Sequence, residues 1–297
     1  MFETTFDHSG LADTPSPHGA RLQDYLSHIR LLNKALSSET KRILRDLKNG
    51  RIKFCHFRDL PVSEELPPTA TEYIAEIPKS TYQSEGLIGA VSLELGTLFN
   101  YKETSESLMY DIYPVKTHEN STSFVNSKRM LSFHTDASAH PVLRPEFVLL
   151  YCIRDDPGAA NLFVDLDTLV DNLTPDILDS LCQPIFNHLV SQFPQRYLLK
   201  PILYRAGRNY TIRYDEETTF GVNSQARFVQ KRLNEVLREV AIEIKNYSNS
   251  LLILNNTASL HARTSFTPRY DGNDRWIKCA FVTSEEIAAG SIIKLDL

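Results

Sequence analysis

The chain has 297 residues, 42% hydrophobic and 23% charged, with a formal net charge of −5. That composition supports a large buried core, while the acidic balance offers no basic surface for nucleic acid. No run of about 18 apolar residues is present to cross a membrane, and MFETTFDHSGLADTPSPHG at the start lacks the order of a signal peptide. Cys55, Cys152, Cys182 and Cys279 lie far apart without CxxC spacing, as expected of reduced thiols in a cytoplasmic protein.

Residues 1–19 are polar, proline-containing and aperiodic, and are expected to form a loose arm. From Arg21, Leu22, Tyr25, Leu26, Ile29, Leu32 and Leu36 recur at three- and four-residue steps and predict a helix. A second helix is expected to start at Ser37 or Ser38, where serine can cap, and to stop at Asn49-Gly50. RIKFCHF (51–57) alternates like a strand, and GLIGAVSLELGTLF (86–99) reads as one buried helix. The later part is different. SLMYDIYPV, MLSFHTD, EFVLLYCIR, NLFVDL, YTIRYD, SLLILNN and RWIKCAFV are short, rich in β-branched and aromatic residues, and bounded by turns. One amphipathic helix interrupts them, its stripe formed by Val229, Leu233, Val236, Leu237, Val240 and Ile244. These elements predict a mainly β fold, an antiparallel sandwich or barrel with peripheral helices. No linker divides the chain, so residues 20–297 are expected to form one domain. No GxGxxG or Walker loop supports a nucleotide fold.

The chemistry concentrates in FHTDASAH, residues 133–140. Residues two apart on a strand share a face, so His134 and Asp136 can converge on one point. An imidazole and a carboxylate are two ligands of a divalent metal, and two histidines with one carboxylate leave open positions, as in non-haem Fe(II) oxygenases. His140 can join only if the loop folds back. His261, expected in a short polar segment after SLLILNN, is the better third ligand. Arg275, at the start of the next strand, suits a dicarboxylate beside the metal. Bland readings compete. His134 and Asp136 can simply close a turn, His261 can be a satisfied buried histidine, and Arg275 can pair with Asp271 or Asp274.

HTD followed by LHARTSFTPRYDGNDRW resembles the clavaminate synthase-like Fe(II)/2-oxoglutarate dioxygenases, in particular the β-hydroxylases of free L-arginine and L-asparagine. SLMYDIYPV and RPEFVLLYCIR extend the resemblance over roughly Ser107 to Val282. His261 follows His134 by 127 residues and Arg275 follows His261 by 14, a spacing far more specific than HxD alone. The resemblance implies a double-stranded β-helix (jelly-roll, cupin-like) core and Fe(II) held by His134, Asp136 and His261. It also implies that Arg275 grips the distal carboxylate of 2-oxoglutarate, that O2 is consumed, and that an unactivated C–H of an amino acid or derivative is hydroxylated. Three departures bear on the substrate. HTD stands where relatives commonly carry HTE, Tyr110 stands where they often carry glutamine, and Cys279 stands where they often place a second arginine near the substrate carboxylate. The last leaves room for a modified, peptide-linked or carrier-bound substrate, or for different anchoring of the same carboxylate. IRYDEE resembles the segment that contacts basic side chains, which makes Asp215 a candidate beside Glu216 and Glu217.

Desaturation or cyclisation would use the same cofactors, and the residues do not separate these outcomes from hydroxylation. A non-catalytic barrel binding protein would not need all four of His134, Asp136, His261 and Arg275. A zinc hydrolase using His134, Asp136 and either His140 or His261 would need a general base such as that of HExxH, and the chain has none. The segments Val115–Met130 and 1–19 are candidate lids by length and polarity.

Overall fold

A computed structural model describes residues 2–3, 10–140, 143–192, 195–207, 209–288 and 290–293. After β1 (Phe2–Glu3) come α1 (Leu22–Ala35), α2 (Ser38–Lys48), β2 (Phe54–Arg58), α3 (Gln83–Leu95), β3 (Thr97–Tyr101), β4 (Met109–Ile112) and β5 (Leu131–His134). Next are β6 (Phe147–Arg154), β7 (Ala160–Asp165), α4 (Leu166–Asp171), α5 (Pro175–Leu181), β8 (Phe186–Gln192), β9 (Gln195–Lys200), β10 (Leu203–Ala206), β11 (Asn209–Ile212) and β12 (Thr219–Gly221). The chain closes with α6 (Ser224–Val240), β13 (Ile242–Lys245), β14 (Ser250–Asn255), β15 (Ser259–Arg263), β16 (Trp276–Thr283) and β17 (Ser291–Ile293).

Two sheets carry the architecture. The larger runs β1-β2-β14-β6-β16-β3-β17, with β4 also paired to β16; the smaller runs β13-β7-β15-β5. Strand alternation builds both cores at once. Leu149, Tyr151 and Ile153 of β6, with Leu251 and Ile253 of β14, pack under α1–α3. The intervening Val148, Leu150, Cys152, Leu252 and Leu254 meet Phe163 and Ile244 of the smaller sheet. On that sheet's far side Val164, Leu260, Ala262 and Phe133 pack under α4–α6. The site lies between the sheets, where alternate positions of β15 and β5 turn inward.

Several boundaries differ from the sequence reading. The expected 86–99 helix stops at Leu95, and Thr97 begins β3. Gly96 makes the break possible because a Cβ there would lie 2.1 Å from the Thr283 carbonyl oxygen. Gly96→Ala is therefore expected to destabilise the protein by about 1–3 kcal/mol, the usual cost of overpacking, read from a urea titration; an unchanged midpoint would refute it. α6 ends at Val240, so Ile244 is not the last member of its stripe but an inward residue of β13. The helix starts agree with capping chemistry: Ser37 Oγ accepts from Thr40 N at 3.1 Å. The arm is not loose where it is described. Leu11 is buried in the main core, and Thr14 Oγ1 donates to Leu11 O at 2.7 Å. Residues 4–9 lie outside the described residues.

Between β2 and α3 a long irregular segment is held to the sheet by buried charge. Lys79 Nζ lies 2.8 Å from both Glu64 Oε2 and Glu85 Oε2. Lys278, on the helix-facing side of β16, lies 2.8 Å from Asp111 Oδ1 and 3.4 Å from Glu76 Oε1 and Glu85 Oε1. Burial alone would raise the Glu85 carboxyl, but Lys79 and Lys278 outweigh it and hold it low. At Asp111 burial wins over Lys278, and the carboxyl is raised.

Candidate metal centre

His134 and His261 are register partners across β5 and β15, with ring centroids 4.2 Å apart. Phe133, Leu260 and Ala262 point into the helix-covered core, so strand alternation turns His134 and His261 the other way. Asp136 follows in the loop beyond β5, with Oδ2 3.3 Å from His261 Nε2. One ligand atom from each of His134, Asp136 and His261 lies within 4.8 Å of the others. His134 Nδ1 sits 2.8 Å from the Ser132 carbonyl. A hydrogen bond donated there leaves Nε2 as the lone-pair nitrogen, the arrangement by which an outer partner orients a metal-binding histidine. Burial, then His134, lowers the His261 pKa against the opposing pull of Asp136, which favours the neutral imidazole a metal requires. Burial would raise Asp136, but His261, His134 and Arg144 together hold it below the usual carboxylate range.

The Asp136 loop is braced by a residue the sequence did not single out. Asn256 Oδ1 accepts from Asp136 N at 2.8 Å, and its Nδ2 donates to Asp136 O at 3.0 Å and Pro145 O at 2.9 Å. Ala137, next in the loop, holds φ 51, a conformation that a non-glycine residue keeps only under such constraint. Asn256→Ala is expected to weaken Fe(II) binding by about 10–100-fold, the typical cost of losing an outer-shell partner. Anaerobic calorimetry measures this, and unchanged affinity would show that the brace is dispensable.

The triad stands where two cavities meet. An inner chamber of about 80 Å³ is lined by Tyr110, Cys279, Arg263 and Arg275 among others. Arg275 is 4% exposed, has no ion-pair partner among the described residues, and its Nε makes no hydrogen bond. The sequence alternatives Asp271 and Asp274 engage Arg269 and its neighbours instead. Cys279 and Tyr110 are register partners on β16 and β4 and together close one wall. Arg263, two residues from His261 on the same strand face, was missed by the sequence reading although period two would have found it. Its pKa is pushed down to about 9 by burial and then by Arg275.

An outer cavity of about 440 Å³ opens on the other side of the triad. Asp215, whose backbone pairs with that of His134 in an isolated antiparallel bridge, and Glu217 both line it. Asp215 Oδ1 accepts from the backbone of Glu217 and Thr218, and Glu217 Oε1 accepts from Arg129 and Ser132. Glu216 turns away to Arg238 of α6. No lysine or arginine is among the described residues of the lining. His140 is in the wall, its ring 4.5 Å from that of Tyr101, and is not part of the triad. His261, expected in a polar segment after a strand, is inside β15 and 8% exposed. Of the two candidate lids, residues 115–130 contribute Thr122, Ser123 and Phe124 to the outer cavity, and Phe124 also touches the inner one. The described residues of 1–19 reach neither cavity.

The donor set fits a divalent metal and the inner chamber fits an anion. Residues 29–280 match the family described as taurine catabolism dioxygenase TauD, TfdA family. An L-lysine 3-hydroxylase of Catenulispora acidiphila is 25% identical over 293 residues, covering 93% of this chain and 80% of its own. An L-asparagine oxygenase of Streptomyces coelicolor is 30% identical over 244 residues, covering 77% of this chain and 70% of its own. The solved structure of an asparagine oxygenase in complex with Fe(II), 2S,3S-3-hydroxyasparagine and succinate superposes with a TM-score of 0.87 at 23% identity, covering 99% of both chains. At that identity the superposition establishes a shared fold.

Proposed function

We propose a function from one premise, that this chain belongs to the taurine catabolism dioxygenase TauD, TfdA family. It is an Fe(II)/2-oxoglutarate-dependent dioxygenase that hydroxylates an unactivated C–H bond of an amino acid or a close derivative. Its two packed sheets are read as a double-stranded β-helix core, and its four free cysteines fit a cytoplasmic enzyme acting on a small molecule.

His134, Asp136 and His261 are assigned as the iron ligands. The observation that carries this is the convergence of their ligand atoms at the junction of the two cavities. Bound Fe(II), with O2 and 2-oxoglutarate, supplies the oxidising chemistry and yields succinate, CO2 and the hydroxylated product. The protein's part is orientation. The Ser132 carbonyl fixes His134, and Asn256 fixes the backbone of Asp136. Arg275 is assigned to the distal carboxylate of 2-oxoglutarate, supported by its burial against the inner chamber without a counter-ion. Tyr110 and Cys279 form the wall beside that chamber and limit how deep a substrate reaches. Asp215 and Glu217 are assigned to the polar end of the substrate, supported by their place in a lining that contains no lysine or arginine among the described residues, although Arg129 behind it already pairs with Glu217. A basic amino acid suits such a lining, in keeping with the lysine-acting relative.

Anaerobic Fe(II) titration with and without 2-oxoglutarate tests the reading, followed by the weak visible charge-transfer band of the complex. The band is expected to need both components. In Arg275→Ala the 2-oxoglutarate required should rise at least about 30-fold, because losing a buried charged partner costs about 2–5 kcal/mol. No band in folded wild-type protein would overturn the assignment.

A further inference from the structure

Arg263 spends its guanidinium in an unusual way. It is 3% exposed, and it has no carboxylate partner among the described residues. Its Nη2 donates to the Asn126 carbonyl at 3.0 Å, to the Asn126 side-chain oxygen, and to Arg129 O at 3.4 Å. Its Nη1 donates to Thr264 O at 3.1 Å, and its guanidinium lies 4.9 Å from the Phe266 ring centroid. Neutral acceptors alone are a poor return for burying a cation. The Arg263 side chain also lines the inner chamber, together with Arg275. Both arginines line one 80 Å³ space and neither forms an ion pair among the described residues, a place the dicarboxylate assigned to that space would fill.

Asn126 belongs to the segment that roofs the site. Its backbone N donates to Ser123 O at 2.9 Å, and its Nδ2 donates to Ser121 O at 2.8 Å. These bonds span Thr122, Ser123 and Phe124, the residues that face the outer cavity. Phe124 also reaches the inner chamber and rests edge-on against Tyr110, ring centroids 5.7 Å apart. One side chain therefore touches the cosubstrate chamber at one end and the roof of the substrate cavity at the other.

We infer that Arg263 is a positioning residue that couples occupancy of the inner chamber by 2-oxoglutarate to the ordering of the 115–130 roof, through Asn126. This rests on the cosubstrate reading above. An anion in the chamber holds the guanidinium in place, the guanidinium holds Asn126, and Asn126 holds the strand of chain that carries Phe124. With the chamber empty, mutual repulsion of Arg263 and Arg275 loosens the same chain of contacts. The cosubstrate thereby prepares the substrate cavity before any substrate enters.

Amide hydrogen exchange under argon tests this on the full chain, with Fe(II) alone and with Fe(II) plus 2-oxoglutarate. In the wild type, 2-oxoglutarate is expected to slow exchange across residues 115–130 several-fold. Asn126→Ala, which leaves both arginines intact, should abolish that slowing while the charge-transfer band still forms at wild-type 2-oxoglutarate. Arg263→Met should abolish it and also raise the 2-oxoglutarate needed for the band. Arg263→Lys should restore the band but not the slowing. Roof exchange that ignores 2-oxoglutarate in the wild type, or slows equally in Asn126→Ala, would overturn the coupling. A wild-type protein that forms no band would instead overturn the cosubstrate reading itself. If Arg263→Met fails to fold, Asn126→Ala decides alone.

Discussion

His261→Ala is expected to abolish Fe(II)-dependent succinate formation, a loss well beyond the roughly 10–100-fold that follows removal of an outer-shell partner. Two reasons combine. The variant leaves His134 and Asp136 as the only ligands from the triad, too few to hold the metal against water. It also strips Asp136 of the partner that does most to keep its buried carboxyl ionised. The fold should survive, because His261 faces the cavity while Leu260 and Ala262 hold β15 against the helices. Far-ultraviolet circular dichroism and a urea midpoint check that survival alongside the activity assay. His140→Ala is the control. Its ring lies tilted against Tyr101 in the cavity wall, so Fe(II) binding should stay within a few-fold of wild type. Full turnover in His261→Ala, or lost iron binding in His140→Ala with His261→Ala active, would move the metal to a different ligand set.

The second large effect concerns stability. Lys278→Met removes the cation that faces Asp111, Glu76 and Glu85 on the helix side of β16. Breaking a buried pair by deleting one partner costs about 3–5 kcal/mol, because the remaining charge is stranded. Asp111 and Glu76 lose their lysine here, while Glu85 keeps Lys79. Guanidinium denaturation should show that loss, and Lys278→Met with Asp111→Leu should recover part of it. The pH dependence has a defined sign. Glu85 is held below its usual pKa by Lys79 and Lys278, so its contribution is present above the unfolded carboxylate range and disappears as pH falls through the folded value. Losing Lys278 should therefore flatten the acid limb of the stability profile. A change under about 1 kcal/mol would mean that the cluster protonates or hydrates at little cost.

The readable parts of this chain were those with local signals. The α2 cap at Ser37 and stop at Gly50 follow from backbone chemistry inside one or two turns. The longest buried strands, Phe147–Arg154 and Trp276–Thr283, were visible as dense apolar runs. What failed has equally physical causes. GLIGAVSLELGTLF is largely apolar and cannot reveal that its last glycine, Gly96, abuts the Thr283 carbonyl from the far end of the chain. Ile244 fits the helical stripe by number, yet its side chain is claimed by the inter-sheet core. β8, β9, β10 and β12 were not anticipated, since half-exposed strands lack the hydrophobic density used to find the others. His261 was read as lying in a polar stretch because Ser259, His261 and Arg263 alternate with only two apolar residues. That is the inverted pattern of a strand whose inner face is a polar site.

By itself the sequence determined which side chains are candidates: HTD, a distant histidine and an arginine 14 residues later offer the donor types of a metal site, and donor types are properties of side chains. Which acids of Asp215-Glu216-Glu217 face the cavity, that Asn256 braces Asp136, and that Arg263 reaches from the inner chamber to Asn126 were decided only by tertiary structure. Each depends on cross-strand register and on the direction of burial, and Asn256 and Asp136 meet across a separation of 120 residues. No local pattern carries that information, because the partner that determines a side chain's direction is supplied by packing.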